Sequence, residues 1–213
     1  MRNKPGAGSP VPGAMVLVCL MLALAVWPAA ESLLRYQREG IAGGQLWRVF
    51  SGHFVHLNLA HALLNSAGTL MLALFLARDI SARDWWTVTL LAPFVISLGL
   101  WFKQPGLLAY VGFSGVLHGL LYFGVLRLFL GAPAWAGTVL LLLAARQVWE
   151  QTGAYDPDYL RSLIHGRVMP DAHLFGALTG LLVGSWSLWR DRASLGKERV
   201  SGYSSGTDSR PDA

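Results

Sequence analysis

Six apolar runs divide this sequence, at about 14–30, 54–77, 86–102, 113–130, 134–151 and 172–189. Each is near the ~20 residues that a helix needs to cross a bilayer. Backbone in hydrocarbon must satisfy its N–H and C=O groups internally, so runs of this kind become helices packed on one another. The expected fold class is all-α, a polytopic membrane protein with a six-transmembrane-helix bundle. Composition agrees. Charged residues make up 14% and hydrophobic ones 54%, with a mean hydropathy of +0.44, whereas a soluble domain carries about 25% charged residues. The net charge of +5 does not imply a nucleic-acid partner, because the basic residues lie in tails and loops beside apolar runs and form no patch. Cys19, the only cysteine, lies in the first run, which excludes an intramolecular disulfide and a cysteine metal cluster.

Charge bias orients the bundle. Arg2 and Lys4 precede the first run, Arg78 and Arg83 follow the second, and Arg190, Arg192, Lys197 and Arg199 follow the sixth. Six crossings put all three groups on one side, which the positive-inside rule makes cytoplasmic. Both termini are then inside, and the loops at about 31–53, 103–112 and 152–171 face out; these carry Arg35, Arg38, Arg48, Lys103, Arg161 and Arg167, so the bias is a tendency and not a clean division. The expected organisation is a cytoplasmic tail over 1–13, the bundle over 14–190 and a disordered cytoplasmic tail over 191–213. The first run, with Arg2 and Lys4 ahead of it, also has the outline of a signal peptide, but no clean small-x-small cleavage site precedes Glu31.

Polar residues inside these runs are the informative exceptions. An unpaired buried polar group costs roughly 2–7 kcal/mol, so such groups face a bundle interior or a water-filled cavity. The second run carries His56 at its outer end and His61 and Asn65 deeper, four apart and on one face. The fourth opens with Gly112-Phe113-Ser114-Gly115, and His118 lies one turn below Ser114. The sixth begins with His173. Three helices therefore deliver polar groups to a similar depth near the outer surface.

Their types suggest acyl transfer. A serine hydroxyl is a weak nucleophile until a base takes its proton, and neutral imidazole is the usual base. The tetrahedral intermediate needs donors aimed at its oxyanion, for which the Ser114 N–H, the Asn65 amide and the His61 imidazole are suited. Gly112 and Gly115 let the backbone turn beside the serine. Val116 stands where the G-x-S-x-G elbow of soluble hydrolases has its last glycine. Gly176, Gly180 and Gly184 recur every four residues and read as a helix-packing seam that brings the sixth helix close to the fourth.

Gly112-Phe113-Ser114-Gly115, the His173-x-x-Gly176-x-x-x-Gly180 run and the His56/His61/Asn65 spacing together resemble the rhomboid intramembrane serine proteases, and Trp47-Arg48 matches that family's first-loop signature. The resemblance spans roughly 45–185. It implies Ser114 as nucleophile, His173 as general base and later acid, and an oxyanion hole from Asn65, His61 and the Ser114 N–H. Such a site is a dyad rather than a triad. His118 occupies the place of the tyrosine most rhomboids carry one turn after the serine. That variant resembles the rhombosortase branch, whose implied partners are exported membrane-anchored proteins ending in Gly-Gly, a transmembrane helix and a basic cluster.

The implied setting is a bacterial inner membrane, with the lipid bilayer as a partner and the site open to the periplasmic side. No cofactor, metal or nucleic acid is expected, and no residue pattern selects an oligomeric state. Other residues have plainer readings: Asp171 as the N-cap of the sixth helix, Arg146 with Glu150 as an interfacial pair, Arg127 as a snorkelling cation, and His53 and His165 as solvated loop histidines. Two other function classes remain. A non-catalytic relative would bind membrane helices without cutting, although such proteins usually lack the serine or the histidine. A metal-handling protein would use the histidines, although no carboxylate is expected among them and His56 and His61 would lie about 140° apart around a helix.

Overall fold

The computed structural model describes residues 8–205, with side chains through residue 193. The elements run α1 (Val11–Val26), α2 (Ala30–Leu34), β1 (Tyr36–Gln37), α3 (Arg38–Ala42), α4 (Arg48–Ser51), α5 (Leu59–Phe75), α6 (Ala82–Lys103), β2 (Ala109–Tyr110), α7 (Ser114–Leu128), α8 (Pro133–Glu150), α9 (Arg161–Ile164) and α10 (Pro170–Ser205). Six of them, α1, α5, α6, α7, α8 and α10, fall on the six apolar runs, and the short elements lie between them. The fold is mainly helical. Among the described residues the one departure from all-α is the ribbon of β1 with β2, antiparallel, with Tyr36 opposite Tyr110 and Gln37 opposite Ala109.

Local chemistry moves the helix ends from where hydropathy puts them. Pro12 is accommodated in the first turn of α1, where its missing N–H costs no bond. Pro28 then forces Trp27 into extended backbone and ends that helix. Asn58 caps α5, its side chain accepting from the His61 N–H at 2.8 Å, so α5 starts at Leu59 and His56 lies in the preceding loop instead of on the helix. Ser81 caps α6 in the same way, accepting from Asp84.

At the far end, α10 runs on to Ser205, helical where a disordered tail from 191 is expected. No proline interrupts the sequence between Asp171 and Arg210. Residues 1–7, within the expected N-terminal tail, and 206–213 lie outside those described.

Among the described residues only α6 is long and apolar enough to cross a bilayer on length and composition alone. The apolar helices α1, α5 and α7 have 16, 17 and 15 residues. At 1.5 Å per residue they rise roughly 23–26 Å, short of a hydrocarbon core of about 30 Å.

The core lies where α7 packs against α10 and α6, with α5 and α8 also against α7 and α1 along α5. Phe113, Val116, Leu120 and Phe123 of the α7 segment are buried among Val88, Ala92 and Ile96 of α6. Ala14, Leu17 and Met21 carry α1 into the same core. α7 and α10 approach closely because glycines face each other: a methyl at Gly176 would strike the Gly115 carbonyl, and one at Gly180 the Gly119 carbonyl. Gly184 meets only the Leu126 side chain.

Arginines brace the loop between α1 and α5. Arg48, buried, donates to the Ser32 and Arg35 carbonyls at 3.2 and 2.9 Å. Arg38 donates to the Trp101 and Gln104 carbonyls at 2.7 and 2.9 Å, placing a cation at the C-terminus of α6, where carbonyls lack helical partners. At the opposite end of the bundle Arg127 pairs with Asp191 at 2.7 Å.

Candidate active site

Ser114 is the first residue of α7, and a helix start leaves its backbone N–H without an intrahelical partner. The turn before it depends on Gly112, whose φ of +119° suits glycine and whose added Cβ would meet the His61 ring at 2.9 Å. Two bonds hold that turn. Gly112 N–H donates to the Gly52 carbonyl at 3.2 Å, and the Tyr110 hydroxyl donates to the Gly112 carbonyl at 3.0 Å.

Across the glycine seam, the first turn of α10 brings His173 to the serine. Nε2 of His173 lies 3.1 Å from Ser114 Oγ. On the other edge of the ring, Nδ1 lies 2.9 Å from Oε2 of Glu150, the last residue of α8. The Glu150 side chain is 2% exposed. Its Oε1 pairs with Arg146 at 3.0 Å, and Gln147 donates to Oε2 at 3.3 Å. His118 stacks on His173, and its Nδ1 is 2.9 Å from the Ser114 carbonyl. A carbonyl only accepts, so Nδ1 of His118 carries the hydrogen.

On the opposite wall, His61 and Asn65 are both buried along α5. The Asn65 amide nitrogen is buried and makes no hydrogen bond. Beside it His61 lies edge-on to His56, ring centroids 4.9 Å apart. That contact replaces the wide angular separation expected for two residues of one helix, because His56 precedes the helix. Ser114, His173, His118, His61 and Asn65 all line one cavity of about 210 Å³, together with Leu160, Ile164 and Met169 from α9 and the segments flanking it.

Two expectations do not fit the structure. Asp171 lies one residue inside α10 instead of capping it, and binds Lys103 at 2.6 Å and the Gln104 amide, which ties α10 to the end of α6. His53 is fully buried, not solvated, and bonds Ser97 at 3.0 Å; burial pushes its imidazole down to about 3. His165 is exposed as expected.

The principal omission is Glu150, read from the sequence only as the interfacial partner of Arg146. A signal was present: the C-terminal end of the fifth run and the N-terminal end of the sixth lie at the same level in any up-and-down bundle. With Glu150 there, His118, Glu150 and His173 offer ligand atoms within 4.8 Å of one another, a set that could hold a metal ion. The two stacked rings are poorly disposed for it, because parallel imidazoles direct their in-plane lone pairs past a shared point between them.

Residues 43–190 match the family model for the Rhomboid domain, well over half of the chain. No curated protein matches the chain.

Proposed function

The chain belongs to the rhomboid family, integral-membrane proteins that act as intramembrane serine proteases, and from that premise we propose that it cleaves membrane-anchored proteins near the outer membrane–water boundary with Ser114 as nucleophile and His173 as base. The observation that carries this reading is the 3.1 Å approach of His173 Nε2 to Ser114 Oγ in a cavity shared with Asn65 and His61. That distance lies within the reach a general base requires.

In the proposed reaction Nε2 takes the Ser114 proton as Oγ attacks the scissile carbonyl. The oxyanion accepts from the Ser114 N–H, the Asn65 amide and the His61 imidazole. His173 then returns the proton to the departing amine, and the acyl group on Ser114 passes to water or to an amine acceptor. The unpartnered Asn65 amide supports its place in the oxyanion hole, since a donor kept free in the resting site needs no reorganisation when charge develops.

The proposed setting is a bacterial inner membrane crossed six times, with both termini in the cytoplasm and the site open to the outer face; the charge bias supports this orientation if the chain crosses six times. The substrates proposed carry a C-terminal Gly-Gly, an apolar helix and a basic cluster. His118 in the place of a tyrosine supports that narrower reading of substrate class.

The test is processing of a co-expressed reporter with such a C-terminus. Ser114→Ala and His173→Ala should each abolish cleavage while the protein still inserts and accumulates, because members of a unit that acts together fail together. Cleavage at the normal rate by either variant refutes the assignment.

A further inference from the structure

Behind His173 lies a buried carboxylate that the reaction above does not use. Glu150 Oε2 approaches Nδ1 of His173 at 2.9 Å, on the side of the ring away from Ser114. An ionised carboxylate only accepts, so Nδ1 carries the ring hydrogen and Nε2 presents its lone pair to the serine hydroxyl. The carboxylate is itself held from two sides, by Arg146 on Oε1 at 3.0 Å and by the Gln147 amide on Oε2 at 3.3 Å. The ion pair with Arg146 and the hydrogen bond from Gln147 orient the carboxylate and offset the cost of burying a charge.

Helix geometry makes the contact specific. Of the α8 residues only Ala136, Gln147 and Glu150 are buried. Of the two imidazoles near the carboxylate buried at its last residue, His118 turns its Nδ1 to the Ser114 carbonyl, and His173 is the one hydrogen-bonded to Glu150 and facing Ser114.

We infer that Glu150 is a positioning residue for the Ser114–His173 pair. It accepts the Nδ1 hydrogen, fixes the tautomer and orientation in which Nε2 can take the Ser114 proton, and stabilises the imidazolium as it forms. The proton stays on His173 and returns to the leaving group; Glu150 gains none. The inference rests on the reading of Ser114 and His173 given above.

A fluorophosphonate probe tests it on the full-length protein in lipid nanodiscs without knowledge of the natural substrate. Ser114 Oγ attacks phosphorus, the P–F bond breaks, fluoride leaves and the serine proton goes to His173. Glu150→Gln is the decisive variant. Arg146 holds the amide oxygen on its own side, so the amide N–H₂ faces Nδ1 and imposes the wrong tautomer. The saturating labelling rate should fall by about 10²–10⁴-fold, as in the loss of the acidic member of a serine-protease triad, with the half-saturating concentration and the thermal unfolding midpoint unchanged.

Glu150→Asp keeps the carboxylate and should label within about tenfold of the wild type. A packing role alone ranks them the other way, since glutamine matches the size of glutamate and aspartate leaves a void. Labelling of Glu150→Gln at the wild-type rate, or faster than Glu150→Asp, overturns the inference. If Glu150→Gln loses its cooperative melt, Glu150→Asp is compared with Glu150→Ala; a rate at least about tenfold higher for aspartate is expected, and equal rates overturn the inference. Ser114→Ala provides the separate control. Its failure to label, beside a fully active Glu150→Gln, sinks only the role of Glu150; wild-type labelling of Ser114→Ala overturns the nucleophile assignment and the inference with it.

Discussion

The imidazoles of His118 and His173 lie face to face, ring centroids 3.9 Å apart and 12° from parallel. His118 comes from one turn below Ser114 on α7 and His173 from the first turn of α10, so the stack joins the two helices that carry the proposed nucleophile and base. A flat ring supports its neighbour by contact over its whole face. That role does not require a nitrogen.

His118→Tyr should therefore retain most of the activity, whereas His118→Ala should lose about tenfold in kcat. Aromatic contacts of this kind are worth about 0.5–1.5 kcal/mol. The hydrogen bond from His118 to the Ser114 carbonyl runs within its own helix, so a phenol in its place leaves the α7–α10 contact intact. Steady-state rates of both variants on one reporter decide the point: if tyrosine is as damaging as alanine, the imidazole has a polar role that stacking does not describe.

Asn65→Ala should lower kcat by on the order of 10²–10³-fold, with a smaller change in KM, because an oxyanion donor acts mainly in the transition state. The Asn65 amide nitrogen has no partner in the resting site, so its removal should leave the unfolding midpoint unchanged or slightly raised. A variant that is less stable but turns over normally would assign Asn65 to the scaffold.

Gly176→Ala should separate α7 from α10. The added methyl meets the Gly115 carbonyl, which is backbone in the residue after Ser114 and cannot move aside as a side chain can. Overpacking of this sort costs about 1–3 kcal/mol or more, and the same displacement lengthens the Ser114–His173 contact. Gly184→Ala meets only the Leu126 side chain and should be mild. Thermal unfolding in detergent and phosphonate labelling, measured on both variants, should fall together for Gly176 and remain near wild type for Gly184.

Chelation should leave activity unchanged. His118, Glu150 and His173 could offer three ligands, but the stacked rings do not converge on one ion. Metal analysis of purified protein before and after EDTA, with activity assayed in parallel, checks this. Stoichiometric metal that disappears in His118→Ala would revive the histidine-based reading.

Much of this protein was legible in the sequence because it rests on periods and on single residues. Apolar run length announced the long helices, since hydrocarbon permits little else. Ser114 and His173 stood out because polar side chains are costly in apolar segments, Gly112 because it lets the backbone turn beside the serine, and the four-residue glycine repeat marked the face of α10 that meets α7.

What only the tertiary structure decided lies between segments distant in the chain. Asn58 captures the His61 N–H and leaves His56 outside the helix, so two histidines expected far apart around one helix touch. His53, a loop residue by sequence, is buried because α4 packs on α6 and brings Ser97 to its ring. Glu150 is the largest case. Along the chain its evident partner is Arg146, one turn away, and that ion pair explained it. Only when α8 ends beside the first turn of α10 does its second oxygen meet His173. Local pattern ranks partners by sequence spacing, while burial of a charge selects whichever polar atom the packing of helices brings within hydrogen-bonding distance.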